Sequence, residues 1–299
     1  MQSSILSETA GEYIELEVAV PEGIADQVSS LLMDLGSQGV WSKPDGEESI
    51  LIGYLSNQSD GRAVADLILH YLDELRILGF DVGDSRVGWR KIREKEWTKE
   101  FERSFEPIFV TDDVVILPSW GESDFPGKTV IRIKLGMAFG TGAHATTQLC
   151  LRALKRYVKP GYRVLDVGCG SGILSILSAK LGASFAWGLD IDQDAIENAN
   201  QNLALNHVEN LVEVRQGTVS ARVPSQFFDI VVANLNKREI FESFDHIKMQ
   251  LRNQGLLIFS GMLKEEEKEI RDFFERKNLR LVEASHQDDW LCFVCTARL

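Results

Sequence analysis

The chain has 299 residues, 44 % of them hydrophobic and 26 % charged, with a formal net charge of −13. That length holds two domains with real cores or one large one, and no apolar run approaches the roughly 20 residues of a membrane-spanning helix. The acidic balance argues against broad binding of nucleic acid, whose phosphates need a basic face, and suits a cationic partner such as a basic protein or an amine.

The opening stretch MQSSILSETAGEY lacks a basic segment followed by a long apolar one, so no export signal is expected. The four cysteines, Cys150, Cys169, Cys292 and Cys295, form no dense framework, and a reducing cytoplasm fits them best. Cys292 and Cys295 make a single C-x-x-C inside the strand-like WLCFVCTARL. With no second pair to complete a zinc site, no metal is expected there.

YIELEVAV alternates, with Ile14, Leu16, Val18 and Val20 on one face and Glu15 and Glu17 on the other, as in a half-buried strand. EGIADQVSSLLMDLG follows with Ile24, Val28, Leu31, Leu32 and Leu35 at helical spacing and Gly36 as its stop. GVWS and SILIGYL read as two strands around the turn KPDGEE. GRAVADLILHYLDELRILG is helical, with Val64, Leu67, Ile68, Tyr71, Leu72 and Leu75 expected inward, and SRVGWRKI is a further strand. This β-α-β-β-α-β order is the split pattern of a ferredoxin-like domain, expected over residues 1–92.

REKEWTKEFERSFEPIF predicts a charged helix with Trp97, Phe101 and Phe105 as its packing stripe. VVILPSWGESDFPGK adds a short apolar strand. Together, residues 93–128 read as a linker between two bodies. From 129 to 299 strands and helices alternate, beginning with the strand VIRIK and the helix HATTQLCLRALKRYV. RVLDVG is a continuous apolar strand of the kind buried in a parallel sheet. The expected fold is α/β, a doubly wound Rossmann-like sheet with its last strand antiparallel, preceded by the small α+β domain.

The chemistry lies where VLDVGCGSGILS turns from strand to helix. Gly168, Gly170 and Gly172 allow a ligand to approach the backbone closely, beside an open helix N-terminus. A dinucleotide fingerprint would need glycine at Ile173, and the G-K-[ST] of a phosphate-binding loop is absent. Asp166 precedes the loop, and a carboxylate there is unfavourable beside a pyrophosphate but helpful beside an ammonium. Asp190 ends the next strand and can accept the hydroxyls of a ribose. A ribose, an ammonium and no phosphate describe S-adenosylmethionine. Asp192 and Asp194 read as helix caps. Asn234 ends the strand VVANL, where an amide carbonyl can align an incoming amine. Upstream, GMAFGTGAHATT puts Gly140 and Gly142 in a tight loop before a helix. The hydroxyls of Thr146 and Thr147 can cap that helix or reach the ligand, and His144 is the titratable group of the stretch.

In this order, GMAFGTGAHATTQLCL, LDVGCGSGILSILSAKLGA, GLDIDQDAIENANQN and VVANL resemble the ribosomal protein L11 methyltransferase family (PrmA type). The specific element is F-G-T-G-x-H-x-T-T, and the likeness extends over nearly the whole chain, including EKEWTKEF…ILPSW in the linker. The resemblance implies a class I S-adenosylmethionine-dependent methyltransferase, with the first domain recognising the substrate. Its substrate would be the lysine side-chain and/or N-terminal amines of ribosomal protein L11, a basic protein. It implies cofactor contact at Thr147, Gly168, Asp190 and Asn234, with Gly170 in the same loop, and names no catalytic residue. Two departures stand out. The family's D-P-G is KLG here, at 134–136, and its A-N-I-L is ANLN, with Asn236 in place of a hydrophobic residue. Both are expected near the substrate mouth, so they bear on which amines are methylated rather than on cofactor use. A monomer without direct nucleic-acid contact is expected. A non-catalytic RNA-binding module is the contrasting reading, against which the first domain offers neither paired exposed aromatics nor a basic stripe.

Overall fold

The structure, a computed structural model, describes residues 12–37, 40–46, 48–56, 59–93, 107–121, 125–134, 142–219, 225 and 227–297. The chain divides into two compact units, Met1–Phe105 and Glu106–Leu299.

The first unit runs β1 (Glu12–Pro21), α1 (Ala25–Asp34), β2 (Val40–Asp45), β3 (Glu48–Ser56), α2 (Gly61–Ile77) and β4 (Arg86–Arg93). Its strands form one antiparallel sheet in the order β2-β3-β1-β4, the split β-α-β arrangement. Register sets Val18 opposite Leu51 and Ile14 opposite Leu55. All four are buried and pack with Val28 and Leu32 of α1 and Ile68 and Leu72 of α2. The opposite face of the sheet carries Glu15, only 6 % exposed. Its carboxylate accepts hydrogen bonds from Arg90 Nε at 2.5 Å and from the Tyr54 hydroxyl at 3.2 Å, which compensates a buried charge. Asp60 caps α2 by accepting the amides of Arg62 and Ala63. One inward assignment fails: Leu67 is 53 % exposed. Its position on the helix lies about a quarter turn from the Ile68, Leu72 and Leu75 stripe, outside the arc the sheet covers.

The second unit holds two sheets. β5 (Ile108–Thr111), β6 (Val114–Pro118) and β7 (Thr129–Ile133) form a three-stranded sheet, antiparallel between β5 and β6 and parallel between β6 and β7. Two expectations change here. VIRIK belongs to this small sheet rather than to the doubly wound one. Ile108 and Phe109 are strand, not the end of the charged helix, whose remaining residues 94–106 lie outside the described residues.

The large sheet contains β8 (Arg163–Val167), β9 (Phe185–Asp190), β10 (Val212–Gln216), β11 (Phe228–Asn234), β12 (Leu251–Leu263), β13 (Leu279–Gln287) and β14 (Trp290–Ala297). Their order is β10-β9-β8-β11-β12-β14-β13. The first five are mutually parallel, and β14 runs antiparallel between β12 and β13. The helices α3 (Ala145–Tyr157), α4 (Ile173–Lys180), α5 (Gln193–Asn206), α6 (Lys237–Gln250) and α7 (Glu267–Arg276) connect them. Aromatic rings fill one layer, with Phe228, Phe244, Phe259, Phe273, Phe274 and Phe293 in a single cluster. No helix of the described residues is long and apolar enough to cross a membrane.

Candidate active site

In a doubly wound sheet, ligands bind at the carboxyl ends of the strands where the order reverses. Here that point lies between β8 and β11. Register makes the arrangement explicit. Val167 stands opposite Leu189 of β9 and opposite Ala233 of β11. The next residue along each strand is therefore Gly168, Asp190 and Asn234, which form one row across three neighbouring strands.

The glycine loop is folded by its backbone. Gly168, Gly170 and Gly172 have φ of +73°, +49° and +77°, a region that side-chain-bearing residues rarely occupy. The amides of Gly168 and Cys169 both donate to Leu189 O, at 2.8 and 2.9 Å, and Gly172 N donates to Cys169 O at 2.8 Å. From α5, Asn202 Nδ2 donates to Ser171 O at 2.9 Å. A Cβ on Gly168 would lie 2.5 Å from Leu235 Cδ2, so Leu235 occupies the space that the glycine leaves.

Each carboxylate oxygen of Asp190 accepts one backbone amide: Oδ2 from Gly170 at 2.8 Å and Oδ1 from Asp192 at 3.1 Å. The carboxylate is thus fixed in direction and keeps lone pairs for two further donors, as a ribose diol requires. Ile191, 70 % exposed, presents an apolar side chain next to it. Asp192 caps α5 as expected, accepting Asp194 N at 2.9 Å, whereas Asp194 lies in the first turn.

Asp166 is wholly buried. Its Oδ2 accepts the Ser175 hydroxyl at 2.8 Å and the Ser175 amide at 3.2 Å, while Oδ1 is buried with no hydrogen-bond partner. Burial pushes this carboxyl up to about 7, against the pull of Ser175 and aided by the charge of Asp190. An orphaned buried acceptor needs an explanation, and a cationic ligand beside the loop supplies one.

Thr147 is buried at the start of α3, and Asn234 Nδ2 lies 3.4 Å from its hydroxyl. The structure thereby joins two site residues that are 87 positions apart. The helix cap goes to neither threonine. His144 is the N-cap residue, its Nδ1 accepting Thr146 N at 3.3 Å and lying 2.7 Å from the Thr146 hydroxyl. Its ring packs edge-on against Trp290, with centroids 5.0 Å apart. Burial lowers its pKa from 6.5, partly offset by the charge of Asp288. Residues 136–141 of the glycine-rich stretch lie outside the described residues.

Sequence patterns did not reveal Ser175, Asn202 or Leu235 as site residues, because their roles depend on contacts with distant segments. The C-x-x-C thiols are buried in β14, and burial pushes Cys295 up to about 12, which leaves it little thiolate character.

Residues 12–298 match the ribosomal protein L11 methyltransferase (PrmA) family. The ribosomal protein L11 methyltransferase of Acetivibrio thermocellus is 32 % identical over 310 aligned positions, covering 95 % of this chain and 97 % of that one. That of Caldanaerobacter subterraneus subsp. tengcongensis is also 32 % identical, covering 94 % and 97 %. Among solved structures, the ribosomal protein L11 methylase from Lactobacillus delbrueckii subsp. bulgaricus superposes with a TM-score of 0.61 at 28 % identity. The match covers 65 % of this chain and all of that one. With matches of this extent across both units, the chain belongs to the ribosomal protein L11 methyltransferase family.

Proposed function

We propose that this enzyme transfers methyl groups from S-adenosylmethionine to lysine side-chain and/or N-terminal amines of ribosomal protein L11. The observation that carries the reading is the row Gly168, Asp190 and Asn234 across β8, β9 and β11, with Thr147 beside it. The residues fit the methyl donor: a glycine backbone where it can lie close, a fixed acid for a ribose diol and a buried carboxylate with one partnerless oxygen for an ammonium. Thr147, Gly168, Gly170, Asp190 and Asn234 would hold it.

When bound, S-adenosylmethionine supplies a sulfonium whose methyl group is electrophilic. The chain's own task is to align and desolvate the amine. A lysine ammonium has an ordinary pKa of about 10.4 and must lose a proton to expose its lone pair, and removal from water favours that loss. The carbonyl of the Asn234 side chain accepts from the incoming amine and aims it, so positioning supplies most of the acceleration. His144 serves the scaffold in this reading. Because its Nδ1 accepts from α3, its proton is assigned to Nε2, and taking a proton at Nδ1 would release the cap.

Residues 1–92 would present the protein substrate, 93–128 would link, and 129–299 would carry the reaction. We place the enzyme in the cytoplasm as a monomer with no direct nucleic-acid contact, a reading supported by its charge of −13. Mass spectrometry of purified L11 after incubation with enzyme and S-adenosylmethionine tests the proposal. Methyl increments on amines are expected. An unmodified L11, with methylation of another protein or of a small amine in a parallel panel, would overturn it.

A further inference from the structure

The small unit carries a concentration of exposed apolar side chains that its own fold does not use. Ile77 is 85 % exposed and Leu78 73 %, at the end of α2. Phe80 in the turn beyond is 44 % exposed, and Leu67 53 %. Leu67 and Leu78 are eleven residues apart, three helical turns, and so share one flank of α2. Single exposed apolar residues are ordinary; four on one flank and one tip mark an interaction surface.

The rim of this surface is acidic. Asp66 adjoins Leu67 in the chain, Asp81 and Asp84 follow Phe80 closely, and all three are exposed. Asp81 accepts only the amide of Gly83, at 3.0 Å, and none of the three forms an ion pair with a cation of the described residues. Asp73 is matched by Arg76 at 2.7 Å, and Glu74 faces His70 at 3.6 Å. The wider unit has the same sign, with 15 acidic against 7 basic residues over 12–93. An apolar centre with an uncompensated acidic rim complements a partner with an apolar depression edged by Lys and Arg.

We infer that the tip and outer flank of α2, centred on Ile77, Leu78 and Phe80, are where the small unit docks the basic protein substrate. The inference rests on the proposed function and adds the contact surface to it. The apolar centre supplies residence time, and the acidic rim steers encounter. Because the first unit makes this contact and the second carries the reacting groups, it governs how much protein substrate is engaged and not the rate of methyl transfer once it is engaged.

The test compares wild type with I77S/L78S and, separately, D81N/D84N, using purified L11 as acceptor over a range of salt. All these positions are solvent-facing; melting temperature and S-adenosylhomocysteine affinity report folding. Wild-type methylation of L11 is measured first, and its absence would refute the functional reading itself. Given wild-type activity, I77S/L78S is expected to raise KM for L11 about tenfold or more with kcat unchanged. D81N/D84N is expected to slow association and flatten its salt dependence. Unchanged KM in I77S/L78S, or an equal fall in kcat, would overturn the docking surface. So would a wild-type dimer that I77S/L78S converts to monomer, because the patch would then bind a second copy. If I77S/L78S melts early, the single I77S, altering the most exposed side chain, decides the matter: a raised KM supports the surface and an unchanged one removes it.

Discussion

We expect Asp166 to make binding of the proposed cofactor answer to pH. Its carboxyl is raised from the ordinary 3.8 to about 7 by burial, and the form that attracts an ammonium is the ionised one. Below about pH 7 a ligand that uses this group must displace a proton. Affinity therefore falls about tenfold for each pH unit below 7 and levels off above it. Between pH 8 and pH 6 the loss is about tenfold, with close to one proton released per ligand at pH 6. Ligand-free stability changes in the opposite sense. The carboxyl is protonated in the folded protein and ionised in the unfolded chain between about pH 4 and 7. Its contribution to stability is thus fully present below about pH 4 and lost as pH rises through 7, by about 4 kcal/mol in all. Asp166→Asn removes both slopes. At pH 8 the variant should melt at a higher temperature than wild type yet bind S-adenosylhomocysteine about 10- to 100-fold more weakly, as loss of a charged hydrogen bond implies. Calorimetry in two buffers of different ionisation enthalpy reads the proton count directly. Wild-type binding that stays flat from pH 6 to 8 without proton release would refute the reasoning.

Asn234→Ala should lower kcat far more than S-adenosylhomocysteine affinity; an equal loss of both would remove its orienting role. Gly168→Ala forces a side chain to φ +73° and should cost about 1–2 kcal/mol in urea unfolding. Gly261→Ala should cost more, because there a Cβ at φ +89° meets the Leu235 carbonyl oxygen at 2.3 Å rather than a movable side-chain end; the reverse ranking would show that Leu235 does not hold the loop. Asn236→Ala removes a capping box with Glu239 and should cost about 1 kcal/mol with activity retained, as thermal melts and initial rates will show. His144→Ala should lower the melting temperature and leave the shape of the pH–rate profile intact, whereas loss of one limb of that profile would give His144 a proton-transfer role.

The repeating elements were legible because burial imposes a period. β1 alternates and its Ile14, Leu16, Val18 and Val20 are buried; RVLDV and FDIVVAN are apolar throughout and lie in the parallel sheet. The convergence of Gly168, Asp190 and Asn234 was legible because each lies at or just past the end of an apolar strand, and strand ends of a doubly wound sheet converge. What escaped depends on partners in space. VIRIK reads identically whether it joins the large sheet or the small one, and only its pairing with Val114–Pro118 decides. Leu67 obeys the helical period within tolerance, yet it is exposed. The hydroxyl of Thr146 pairs with His144, so the cap that threonine suggests is made by an imidazole.

Local structure accounts for the departure at Asn236 and shows that the one at Lys134 leaves the glycine loop's support unchanged. α6 begins at Lys237, three residues after Asn234. The residue at 236 must therefore cap the helix, and the Asn236 side chain accepts Glu239 N at 2.9 Å while Glu239 Oε2 accepts Asn236 N at 3.3 Å. A hydrophobic residue there leaves those amides to water; asparagine satisfies them without touching the row that ends at Asn234. At 134 the contact that matters is made by the backbone. Lys134 N donates to Asn202 Oδ1 at 2.7 Å, and Asn202 Nδ2 in turn donates to Ser171 O. Through this one amide side chain the end of β7 is tied to the glycine loop, and an aspartate at 134 would make the same bond. The lysine adds only an exposed contact from Nζ to Gln201 Oε1 at 2.9 Å. Asn202, fully buried between the two segments, is therefore the residue on which the loop's support rests, and neither departure disturbs it.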